Sequence, residues 1–203
     1  MSVHRLQRTI RRCLFLSLIY IGLATPSALA AVKSWQKTPD GVSFTLDVGT
    51  MKLRVCGPDI VEVQYTILPK MPSRRSLVID NPFSATPPFT VSETAGAVVI
   101  VTKRLRITVD KATNAVSYAD ATTGKAILAE DAKDNKSMQR VVLATSISTY
   151  SCSTVFDSPA GEGLFGLGCH PLDSGSIDYK GRDQDLLIKY MTGAIPVVLS
   201  TAG

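Results

Sequence analysis

The residues best equipped for chemistry gather between Glu162 and Asp185, in EGLFGLGCHPLDSGSIDYKGRDQD. Cys169 and His170 stand next to each other, yet neighbours on a strand point to opposite faces, which keeps an imidazole out of hydrogen-bond reach of the thiol. His170 is the sole histidine after residue 30, so any histidine-dependent scheme has to use it. Asp183 and Asp185, two apart, would share one face of a strand, with Asp173 and Asp178 close in sequence. Glycoside cleavage needs two carboxyls on opposite sides of the scissile bond, whereas this spacing sets them side by side. No G-x-S-x-G elbow is present. Contact with a sugar fits better: Tyr179 offers an apolar face, and Arg182, Asp183 and His170 offer directional hydrogen-bonding groups.

These residues need a scaffold, and the glycines say what kind. Gly163, Gly166 and Gly168 imply a backbone that visits positive φ or passes very close to another chain segment. Upstream, side chains alternate with period two. Val42, Phe44, Leu46 and Val48 face one way in VSFTLDV; Met51, Leu53 and Val55 follow in MKLRVC, and Val61, Val63 and Tyr65 in IVEVQYT. A polar lead-in (32–41) precedes them, and a proline-rich connection (68–88), with a candidate edge strand at 76–79, follows. Strands are expected again at 89–93, 97–102, 104–110, 115–120 and 126–130, with hairpin turns at Thr113-Asn114 and Thr122-Thr123-Gly124. Beyond a solvated loop (131–136), 141–148 and 153–156 read as strands. LLIKY (186–190) suits a strand or one helical turn. AIPVVLS (194–200) reads as a buried strand whose Pro196 belongs at an edge or bulge. The fold class expected is all-β, an antiparallel sandwich.

The first thirty residues have another purpose. Arg5, Arg8, Arg11 and Arg12 precede an apolar run, Cys13 to Ala24, that is too short to span a bilayer comfortably. Ala28-Leu29-Ala30 is an A-x-A cleavage site, so residues 1–30 read as a signal peptide and 31–203 as one domain, secreted or periplasmic. The leader carries four of the 22 basic residues, leaving 18 against 17 acidic ones. The sequence pI near 9.1 therefore gives no hint of nucleic acid, nor of a membrane once the leader is gone. Cys56, Cys152 and Cys169 remain, enough for one disulfide at most. Neither a CxxC nor a zinc-spaced Cys/His set occurs, so no metal or cofactor is expected.

Three stretches resemble the N-terminal part of glycoside hydrolase family 31, the α-xylosidase and α-glucosidase family. They are MKLRVCGPDIVEVQYT (51–66), VVIVTKRLRITVDKATNAVSYADATTGKAILAE (98–130), and EGLFGLGCH with IDYKGRDQDL and AIPVVLSTAG (162–203). The resemblance covers essentially all of 42–203 and implies a galactose mutarotase-like β-supersandwich. It places the catalytic aspartates in a (β/α)₈ barrel beyond residue 203, leaving this chain inactive alone. It gives Asp183 in KGRD the part of a loop aspartate touching sugar, with Arg182 and Tyr179 beside it and His170 as a further contact. An α-glycoside at the 162–185 loop and the missing barrel are then the partners. One departure stands out: Cys169 replaces the family's usual Gln or Glu. A free-standing secreted carbohydrate-binding module is the alternative from another class.

Overall fold

The computed structural model describes residues 31–73, 85–142, 148–169, 177–186 and 193–202. Among the described residues thirteen strands run in chain order, and no helix occurs. They are β1 (Val32–Thr38), β2 (Gly41–Leu46), β3 (Thr50–Val55), β4 (Val61–Thr66), β5 (Thr90–Glu93), β6 (Ala97–Val101), β7 (Leu105–Asp110), β8 (Val116–Asp120), β9 (Ala126–Ala129), β10 (Lys136–Val142), β11 (Ser148–Thr154), β12 (Leu164–Cys169) and β13 (Gly193–Ser200). β1 to β4 form one antiparallel meander and β5 to β9 another.

The two meanders pack face to face as a sandwich. Val42, Phe44, Leu46, Met51, Leu53 and Val55 from one join Val98, Ile100, Ile107, Val109 and Val116 from the other in a single buried cluster. Each such side chain, fully withdrawn from water, contributes about 1.5–3 kcal/mol before chain entropy is set against it. The alternation read from the sequence thus delivers the core, with Val61, Val63 and Tyr65 packed against it from β4.

Turn chemistry explains why the second meander keeps its register. Asp110-Lys-Ala-Thr-Asn114 and Asp120-Ala-Thr-Thr-Gly124 are the same device used twice. In each, the aspartate Oδ1 accepts from the amides two and three residues on and from a threonine hydroxyl. The fifth residue donates its amide back to the aspartate carbonyl at 2.9 Å, with φ of 54° at Asn114 and 72° at Gly124. Asparagine and glycine are the residues that tolerate that conformation.

Five expectations change. The polar lead-in is a strand, β1. Val48 is 55% exposed, because Gly49 (φ 87°) turns the chain before Val48 can face the core. In place of strands at 141–148 and 153–156, β10 and β11 pair from Lys136↔Thr154 to Val142↔Ser148. Lys136 is not solvated: its side chain is 3% exposed and ion-paired with Glu130, which is equally buried. Finally, 194–200 does lie in a strand, but an exposed one, with Val197, Val198 and Leu199 more than half accessible. The stretch 76–79 and nearly all of 186–190 lie outside the described residues, as do residues 1–30.

The β10–β11 hairpin is tied to the sandwich at its base. Glu130 bridges to Phe156, Asn135 Nδ2 donates to the Thr113 carbonyl at 2.8 Å, and the Val116 amide donates to Glu130 Oε2 at 2.7 Å. Lys136 Nζ also donates to the Asn114 carbonyl at 3.1 Å. Cys56, which is buried, and Cys152, which is exposed, are both free thiols.

Candidate functional site

β12 and β13 form a two-stranded sheet of their own, and the glycine-rich motif is its irregular half. Pairing runs from Leu164↔Ser200 to Gly166↔Val198, then resumes at Gly168↔Ala194. Leu167 alone therefore faces Ile195, Pro196 and Val197. Gly166, Leu167 and Gly168 take φ of 108°, 64° and 98° to absorb the mismatch. A Cβ on Gly166 would stand 2.4 Å from the Val197 carbonyl oxygen, and one on Gly168 would stand 2.0 Å from that of Gly193. Close backbone approach and positive φ are both present, as the glycine spacing implied. Pro196, which has no amide to donate, sits within the bulged segment of β13, as its type requires.

The stretch 178–182 is clamped onto the start of this sheet. Asp178 Oδ1 accepts from the Leu164 amide at 2.9 Å and from the Lys180 amide at 3.0 Å. The Tyr179 amide donates to the Leu164 carbonyl at 2.7 Å, and the Arg182 amide to the Tyr179 carbonyl at 3.1 Å. Below it, Gly163 exchanges two hydrogen bonds with Thr201: its amide donates to Thr201 Oγ1 at 2.9 Å, and its carbonyl accepts from the Thr201 amide at 3.1 Å. Glu162 accepts from the hydroxyls of both Ser158 and Ser200, and Lys180 Nζ donates to the Pro159 carbonyl.

The result is a lip with a rigid root and an open tip. Tyr179 is half-buried at the root, while Arg182 and Asp183 are exposed at the tip. Asp183 and Asp185 lie on irregular chain and not along a strand, so the shared strand face expected of them is absent. His170 and Asp173 lie outside the described residues. Among the described residues, no group of three His, Cys, Asp or Glu side chains could hold a metal ion.

Sequence reading gave Asp178 and Glu162 no positioning role, yet their hydrogen bonds tie down the lip. Only the D-Y-K-G turn hinted at the first, since an aspartate two residues before an amide often caps it. The Leu164 amide, then that of Lys180, hold the Asp178 carboxyl below its ordinary 3.8. A carboxylate with a lowered folded pKa stabilises its surroundings above its ordinary pKa, and that contribution is lost as pH falls through the lowered value. In an NMR titration the Leu164 and Lys180 amide shifts should therefore move together, with a midpoint below 3.8. Asp178→Asn should abolish that inflection. Amides that move with different midpoints would break the assignment.

No family model matches the chain, whereas solved structures share its fold. An α-xylosidase of glycoside hydrolase family 31 from Xanthomonas citri aligns over 82% of this chain and 18% of its own, with a TM-score of 0.70 and 24% identity. A family 31 dextranase from Flavobacterium johnsoniae, solved with isomaltotriose, aligns over 87% of this chain and 22% of its own (TM-score 0.63, 18% identity). A cycloalternan-forming enzyme from Listeria monocytogenes, solved with a pentasaccharide substrate, aligns over 85% and 16% (TM-score 0.62, 17% identity). The class the fold defines is thus the antiparallel β-sandwich built into these enzymes, and the chain spans about a fifth of their length.

Proposed function

We propose that the chain is the N-terminal, non-catalytic sandwich domain of an exported family 31 α-glycosidase of the α-xylosidase or α-glucosidase kind. In this reading the 162–185 lip reaches over the sugar site of a (β/α)₈ barrel, which supplies the nucleophile and the acid. Asp183 accepts hydrogen bonds from sugar hydroxyls, Arg182 donates, and Tyr179 lends an apolar face, with His170 as a further contact.

One observation carries the proposal: a likeness that takes in more than four-fifths of this chain takes in only a fifth of the family 31 enzymes. Two features agree with it. The described carboxylates at the tip, Asp183 and Asp185, are two residues apart on one exposed segment, unlike a pair flanking a bond. β13 also presents Ile195, Val197, Val198 and Leu199 to solvent, an apolar surface of the kind a neighbouring domain covers.

Residues 31–203 alone are expected to release no sugar from aryl α-xylosides or α-glucosides. Turnover that Asp183→Ala abolishes would overturn the proposal. Reading the gene past Gly203 separates it from a free-standing binding module, since a barrel-encoding frame favours the domain.

A further inference from the structure

A concave site whose lining includes no residue of the lip lies where the sandwich meets the β10–β11 hairpin. It is a cavity of about 320 Å³ between β4, β8 and the hairpin, at the small end of the range of ligand pockets. Tyr65, Tyr118 and Phe156 provide three aromatic faces. The hydroxyls of Ser137 and Ser153, 2.7 Å apart and exposed, form a polar wall. Glu130 and Lys136 are also part of the lining, as a buried ion pair.

That lining discriminates between occupants. A wholly apolar guest would strip water from the serine pair and the ion pair and offer them nothing. A charged guest would upset a buried pair whose charges already cancel. A neutral ring bearing several hydroxyls satisfies both demands: its C–H face lies on the aromatic side chains and its hydroxyls meet the polar wall. Burial pushes the Tyr118 and Tyr65 phenols up, so both keep their protons at neutral pH and remain able to donate.

We propose that this cavity binds a neutral polyhydroxylated ring of pyranose size, at a site separate from the 162–185 lip. Cys152 lines the cavity and is exposed, whereas Cys56 is buried, so the Cys152 thiol reports occupancy. In the 203-residue chain carrying Cys13→Ser and Cys169→Ser, the reaction of Cys152 with a maleimide is followed while xylose or glucose is titrated in. Saturable protection is expected from either sugar, and none from glucose 6-phosphate or phenol. Ser153→Phe, which fills the cavity from an exposed strand position, should remove the protection, and Ser137→Phe should do the same if the first variant fails to fold. Asp183→Ala should leave the protection in place, which keeps a failure here distinct from a failure of the lip reading. The proposal falls if neither sugar protects up to its solubility, if phenol or the sugar phosphate protects equally, if protection survives both fillings, or if Asp183→Ala removes it.

Discussion

Glu130→Ala is expected to cost about 3–5 kcal/mol of stability, the largest loss of any single charged residue described in this chain. The reason is what stays behind. Lys136 is 3% exposed, and with its partner removed it must either keep an uncompensated charge in the interior or give up its proton. The Val116 amide loses its carboxylate acceptor as well. Burial already draws the Lys136 pKa downward even with Glu130 in place. For a chain of this size each kcal/mol shifts Tm by about 2–4 °C, so a fall of roughly 10 °C should be seen by calorimetry. Glu130→Met combined with Lys136→Met should cost much less than the two single changes added together, because well-packed apolar groups can replace a buried pair nearly neutrally. Additive losses would show that the two residues act independently.

Gly168→Val should uncouple the lip while leaving the sandwich folded. Its first side-chain carbon would meet the Gly193 carbonyl oxygen at 2.0 Å and the Ile195 amide nitrogen at 2.9 Å, on a backbone with φ of 98°. Strain at such a φ costs about 1–3 kcal/mol and overpacking adds a similar amount, more than a two-stranded sheet can offset by itself. Amide exchange at Gly166 and Cys169 should accelerate to the rate of open chain, with Ile107 and Val109 protected as before. Gly124→Ala is the control, since its φ is 72° but nothing lies within 4 Å of the added carbon. It should cost about 1 kcal/mol and leave the lip intact. If Gly168→Val melts the whole sandwich in one step, the sheet of β12 and β13 is part of the core's cooperative unit.

How far the sequence could be read depended on which force shaped each segment. β2, β3 and β7 lie over one shared core, so burial prints a period of two on them, and the inward residues of β2 and β3 were legible one by one, whereas β6 buries Val98, Val99 and Ile100 in succession. β1 was not, because in VKSWQKT only Val32 and Trp35 pack against the core, too sparse a pattern to show alternation. The β10–β11 hairpin, KSMQRVV against STYSCST, carries almost no apolar signal; its base is set by Glu130, Asn135 and Lys136, whose contacts cross from 6 to 22 residues of chain. AIPVVLS misled in the other direction, being apolar enough for a core yet exposed. At the site, the order Tyr179, Arg182, Asp183 could be read as a motif. The Asp178 bond to Leu164, 14 residues back, could not, because it depends on how the lip folds down.

That exposed strand also bears on how such a domain survives its own synthesis. Among the described residues β13 pairs along one edge only, and such an edge beside valine and leucine side chains invites a second molecule to add itself as a further strand, the first step toward an ordered aggregate. Pro196, lacking an amide proton, and the three-against-one mismatch to which it belongs interrupt that template midway along β13. The bulge that re-aims the lip would then act as a guard as well, holding off self-association until a proper neighbour arrives.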